Sequence, residues 1–174
     1  MMTIFGEIES GADLEARTIM HNLGKKYDIG HRYGTNRGLI LTDNLGKECD
    51  HASKSGFYAV FGPKIVSKNV IDLNTSVCYY TGYAGSNNTI RIRLSRFLAE
   101  MLGNSYDTEP HAAAERLSYI VDASFSKLLS AYIMPYDITK WNLYNTFRAE
   151  AAAWRQIETV LIAEFNPILN KKRK

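Results

Sequence analysis

The 174-residue chain is short of net charge, cysteine and long apolar runs. Its 21 Lys and Arg against 18 Asp and Glu leave a charge of +3, and four of the basic residues are the last four, Lys171, Lys172, Arg173 and Lys174. Ahead of them stand 17 basic and 18 acidic residues, so the basicity is local. This excludes a histone-like binder that works by bulk charge, but not a nucleic-acid binder with a focused basic site. Two cysteines, Cys49 and Cys78, are too few for a disulfide framework or a four-cysteine zinc site. A single disulfide stays open, while a reduced, cytoplasmic protein suits so sparse a cysteine content better. No stretch approaches the roughly 20 apolar residues of a membrane span, so no membrane association is expected. The opening Met1-Met2-Thr3 leads into no basic region followed by an apolar run, and no signal peptide is expected.

What is present reads as one globular domain with an arm. Hydrophobic residues are 45% and charged residues 22% of the chain, enough apolar material for a sizeable core. In residues 1–52 the patterns are weak. Leu14, Ile19, Met20 and Leu23 suggest a short helix from about Leu14 to Lys26. Asp28, Gly30, Gly34, Asn36 and Gly38 read as loop, and Leu39-Ile40-Leu41 as a short strand. This part is taken as an N-terminal extension, with residues 53–174 as the main domain.

That domain is better marked. Gly56–Phe61 is a β-forming run ended by Gly62-Pro63, and residues 64–75 read as an insertion or a strand-and-loop excursion. Val77–Thr81 is a second β run, antiparallel to the first because no helix separates them. Ile90, Leu94, Phe97, Leu98 and Met101 make one apolar stripe of a helix from about Asn88 to Leu102, capped by Asn87, Asn88 or Thr89 and ended by Gly103. A helix follows over about His111–Val121, then a strand over Leu128–Met134 and a long helix over about Leu143–Phe165.

Several side chains could carry chemistry. Glu158 borders the apolar stripe of the last helix, formed by Trp154, Ile157, Leu161 and Phe165. A carboxylate there needs a cation, an Arg or a metal, unless it reaches water or pairs with a neighbour. Arg93 borders the stripe of the earlier helix, with Arg91 and Arg96 on its other faces. Three arginines within six residues suit phosphate, whose oxygens a guanidinium can bind in pairs, and also suit a plain solvated face. Each of the strand tyrosines Tyr58, Tyr79, Tyr80 and Tyr83 alone reads as packing.

In order, however, the chain presents Gly56-Phe57-Tyr58, Tyr83-Ala84-Gly85, Arg93 eight residues after Gly85, Glu158 on a late helix, and Asn166-Pro167-Ile168-Leu169-Asn170, with Asn170 12 residues after Glu158. This set, over about residues 56–170, resembles the GIY-YIG nuclease superfamily. Phe57 and Ala84 take the middle places of the two tripeptides. The two motif tyrosines are 25 residues apart, as in restriction enzymes of the superfamily that carry a longer segment between them. Where many members have His or Tyr four residues after the arginine, this chain has Phe97; where some have Lys after the second motif, it has Ser86. A competing register uses Tyr80-Thr81-Gly82 as the second motif and Arg91 as the arginine; the spacing from Tyr83 to Arg93 fits better.

The resemblance implies a small α/β sandwich in which a central, mostly antiparallel three-stranded sheet is flanked by helices. It implies a nuclease domain over 53–174 that hydrolyses DNA phosphodiesters with one divalent cation, Mg²⁺ or Mn²⁺. The implied site is Tyr58, Tyr83, Arg93, Glu158 and Asn170, with Glu158 on the metal, Arg93 on the phosphate, Tyr58 as base and Tyr83 in support. Asn170 would fix the last loop, Gly85 would permit close backbone approach, and His111 could relay a proton. Arg91, Arg96 and Lys171–Lys174 would add phosphate contacts. The enzyme would be site-selective, of restriction or phage/homing type, and cutting both strands would call for a homodimer or sequential nicking. Two other readings stay open: a non-catalytic nucleic-acid binder of the same fold, and an unrelated interaction protein in which Glu158 lies far from Arg93 and the tyrosines.

Overall fold

The computed structural model describes residues 14, 16–19, 26–34, 38–42, 47–85, 87–103, 111–138 and 147–170. Its strands are β1 (Lys26–Gly34), β2 (Gly38–Thr42), β3 (Gly56–Ser67), β4 (Val70–Ala84) and β5 (Ser130–Pro135). Its longer helices are α1 (Ile90–Met101), α2 (Ala112–Ser118) and α3 (Phe147–Phe165). The fold is α/β, with an antiparallel sheet between helices. The three β runs read from the main domain lie side by side as β5-β3-β4, and β1 and β2 extend the sheet to the order β2-β1-β5-β3-β4.

Alternation along β3 explains the layers. Tyr58 and Val60 face one side, where Ile90, Leu94, Phe97, Leu98 and Met101 of α1 and Ala113, Ala114 and Leu117 of α2 close a core. Phe57 and Ala59 face the other, against Ala153, Trp154, Ile157 and Leu161 of α3 and the buried Ala16 and Ile19. The expected stripe of α1 is buried in full, and Thr89 caps the helix, its hydroxyl accepting from the Ile92 amide at 3.2 Å.

Three expectations change. Residues 28–34 are strand, not loop: β1 pairs with β5 through Lys26↔Tyr132, Tyr27↔Ala131 and Asp28↔Ser130 and with β2 from Asp28↔Thr42 to Gly34↔Gly38, so pairing overrides the loop reading of its glycines. The helix expected to reach Lys26 therefore ends before it. Gly62-Pro63 does not stop β3, which continues to Ser67 and pairs with β4 as a long hairpin broken by bulges.

Gly56 is sterically required. Its φ is +150°, and a Cβ there would lie 2.3 Å from the Met134 carbonyl oxygen. The first glycine of the tripeptide thus lets β3 cross closely over the end of β5, where the Tyr136 amide donates to the Ser55 carbonyl at 3.1 Å.

Candidate active site

A bulge decides which tyrosines meet. Val60 pairs with Tyr80 and Phe61 with Cys78, so Tyr79 is the extra residue of β4. Beyond the bulge, Tyr80 and Gly82 share the face of Val60 and Tyr58, while Thr81 and Tyr83 share that of Ala59 and Phe57. Tyr58 and Tyr80 pack with ring centroids 6.0 Å apart. Tyr83 lies on the opposite face, stacked on Trp154 at 5.6 Å and 5°. Tyr80, the tyrosine of the competing register, thus packs against Tyr58, and Tyr83 does not share its face. The arginine remains Arg93, because Arg91 is drawn aside into a 3.0 Å ion pair with Glu48.

Gly82 makes room for this pair. A Cβ there would sit 2.7 Å from the Tyr58 hydroxyl and 2.8 Å from Tyr80 Cε1, and the fully buried Tyr58 ring has nowhere to retreat. At Gly85, by contrast, the nearest atoms would be 3.9 Å away, an ordinary contact, so the close approach expected there occurs three residues earlier.

The electrostatics converge on one place. Burial pushes the Tyr58 phenol well above its ordinary value, Tyr80 adds to the rise, and Arg93 opposes it. Burial raises Tyr80 too, with Glu158 adding and Arg93 opposing. Burial lifts the Glu158 carboxyl to about 7, although Arg93 and then Arg155 pull it down. Burial would lower Arg93, but the two phenols hold it above its ordinary value, and Tyr83 is within its electrostatic reach. Glu158 comes from α3 and Arg93 from α1, on opposite layers of a sheet edged by β4, and the carboxyl is within the electrostatic reach of the guanidinium. Glu158 is thus not remote from Arg93, as the unrelated-protein reading requires.

His111 stands at the start of α2, edge-on to Tyr80 at 4.9 Å and to Phe97 at 5.1 Å. It occupies space beside the residue that replaces the expected His or Tyr. Burial and then Arg93 lower its pKa to about 4, so it is neutral at neutral pH. Among the described residues no well-formed hydrogen bond reaches its ring nitrogens, the Tyr58 hydroxyl or Arg93 Nε, although Arg93 and Tyr80 lie near enough to Tyr58 for a looser polar contact. A buried polar atom without a partner costs about 1–3 kcal/mol, so four in one cluster call for an explanation.

Asn170 is held by the backbone of β4. Its Nδ2 donates to the Thr81 carbonyl at 2.6 Å and its Oδ1 accepts from the Thr81 amide at 2.8 Å. The Ile168 and Leu169 amides donate to Cys78 and Tyr79 carbonyls, so the last loop clips onto β4 beside Tyr80. Asn170 is a positioning residue, with both amide atoms committed to backbone. Arg96 is exposed on α1; Lys171, Lys172, Arg173, Lys174 and Ser86 lie outside the described residues.

A divalent cation would find one carboxylate here. No group of three His, Cys, Asp or Glu that could hold a metal occurs among the described residues. Mg²⁺ commonly takes one or two carboxylates, substrate phosphate and several waters, so Glu158 fits an ion held mostly by water and substrate and not one held in a protein cage.

Comparison of the chain with protein-family models, with curated proteins and with solved structures returns no match. Among the described residues no helix is long and apolar enough to cross a membrane, and Cys49 and Cys78 are both free and buried.

Proposed function

We propose that the chain is a divalent-cation-dependent DNA endonuclease of GIY-YIG type, working as a reduced cytoplasmic protein. One observation carries the reading: Tyr58 from β3, Tyr80 from β4, Arg93 from α1 and Glu158 from α3 share one electrostatic environment, in which buried polar atoms lack partners. A structural core would have satisfied or removed those atoms. A scissile phosphate and its attacking water would supply the missing partners.

Each side chain has a role that follows from its surroundings. Arg93 binds the phosphate and offsets the charge that grows on it in the transition state. Glu158, ionised as it takes up the cation, holds Mg²⁺ or Mn²⁺ at the phosphate. The bound ion would polarise the phosphate and stabilise the leaving 3′-oxygen. Tyr58 keeps its proton in the free enzyme, because its burial opposes ionisation, and it orients the attacking water beside Arg93. Tyr80 packs between Tyr58 and the neutral His111, so the proton the water loses would pass to the Tyr58 oxygen as Tyr58 gives its own to Tyr80 and on towards His111. Arg96, Arg91 and Lys171–Lys174 add phosphate contacts, and a homodimer would place two such sites on one duplex.

The test is incubation of the purified chain with supercoiled and linear DNA, with Mg²⁺ or EDTA, beside Glu158→Ala. Metal-dependent cutting by the wild type, lost in the variant, is expected, with discrete bands for site selectivity. Equal inertness of both proteins on several DNAs, with DNA still bound, would replace the enzyme by a non-catalytic binder.

A further inference from the structure

We propose that Tyr83 acts through its ring, as a stacking platform for the nucleobase next to the phosphate that Arg93 holds. The proposal deepens the nuclease reading and rests on it. The hydroxyl role expected of Tyr83 does not suit a residue on the face opposite Tyr58. Its ring is placed for something else. It lies parallel to the Trp154 indole, which is itself buried, packed against Phe57 at 5.0 Å and met edge-on by Tyr136 at 5.8 Å. The indole Nε1–H donates to Glu150 Oε1 at 3.3 Å, which fixes the stack further. Tyr83 is nonetheless only partly buried, and Gly85 beside it has no side chain to cover the ring edge at Cε2.

Two neighbours identify the occupant as a nucleotide. Tyr83 stands three residues along the edge strand β4 from Tyr80 and within the electrostatic reach of Arg93, which sets its ring at the rim of the proposed phosphate site. Glu158 follows Trp154 by one helical turn, about 6 Å along the axis, a distance that one nucleotide can bridge. A rigid, partly exposed aromatic ring near a guanidinium is the combination that binds single bases without reading their edges, and its rigidity lowers the entropy lost on stacking.

The experiment uses the full chain with Glu158→Gln, which prevents cutting, and oligonucleotides carrying 2-aminopurine at successive positions. Tyr83→Leu, which keeps bulk against Trp154, should weaken DNA binding by about 5- to 150-fold and abolish the quenching of at least one 2-aminopurine. Tyr83→Phe should rescue both. Tyr83→Ala, checked for folding by its melting temperature, should match Tyr83→Leu. The platform is overturned if Tyr83→Leu binds and quenches like the parent, or if Tyr83→Phe behaves as Tyr83→Leu does, since that would return the role to the hydroxyl. Failure of the nuclease reading shows separately, as absence of cutting by the chain with Glu158 intact. Ring-dependent quenching in that case keeps the platform, and no DNA binding at all overturns it.

Discussion

The two faces of the sheet carry similar aromatic residues and treat them differently. On the α3 face, Tyr83, Trp154, Phe57 and Tyr136 form a stack, and the indole nitrogen is hydrogen-bonded. On the α1 face, Tyr58, Tyr80, Arg93 and His111 are packed together, yet among the described residues the Tyr58 hydroxyl and both His111 nitrogens have no well-formed hydrogen bond. Even Tyr79, on that same side, has its hydroxyl satisfied: it accepts from the Ile65 amide and donates to the Pro63 carbonyl. Buried polar atoms close together without a partner are the kind of feature a ligand can explain, and this is what motivates the proposed site.

The contrast breaks most sharply at one oxygen. Tyr58→Phe should cut DNA about 10²–10⁴-fold more slowly, the usual weight of a positioned proton-transfer group. It should also leave stability unchanged or raise it, because the lost hydroxyl had no partner. Cleavage kinetics with urea melts would check both, and a variant that is destabilised while still active would reverse the assignment. On the opposite face the expectation is inverted. Trp154→Ala should cost about 3–5 kcal/mol by opening a cavity beside Phe57 and Tyr83, measured by the same melts.

Smaller effects sharpen the comparison. Gly82→Ala should push Tyr58 and Tyr80 apart at a cost of about 1–3 kcal/mol, with a larger fractional loss of cleavage than Gly85→Ala, which has room. Parallel rate and stability assays on the two variants decide this. The smallest effect is on pH. Glu158 has its folded pKa raised to about 7 from 4.5, so the folded state holds a proton that the unfolded state has released. Its contribution to stability is present below about pH 4.5 and is lost as pH rises through 7. His111 is shifted oppositely, to about 4 from 6.5, and its contribution is lost as pH falls through that window. Without metal, Glu158→Gln should therefore gain melting temperature relative to wild type between pH 5 and 8. A gap independent of pH would count against the burial of Glu158.

Much of the fold was legible because its signals are local. The stripe of α1 has five apolar residues at helical spacing, and the runs at Gly56, Val77 and Leu128 are dense in β formers. Arg93 and Glu158 were legible as charged residues at the border of an apolar face, a placement that needs a partner. Spacing to Arg93 favours Tyr83 over the competing Tyr80, while the odd separation of the two puts them on opposite faces of any regular strand, so only one can share the face of Tyr58. The glycines of residues 28–34 read as loop, and only pairing with β2 and β5 makes that segment a strand.

Residue order alone determined which side chains could do chemistry and on which element each would ride, since helical stripes and β runs follow from the periodicity of the backbone itself. Only the tertiary structure decided which of them meet. The bulge at Tyr79 sets the phase of β4, and the edge position of β4 brings Glu158 from one layer to Arg93 in the other. A one-residue slip in a strand exchanges its faces, and pairing between segments distant in the chain is what fixes the slip.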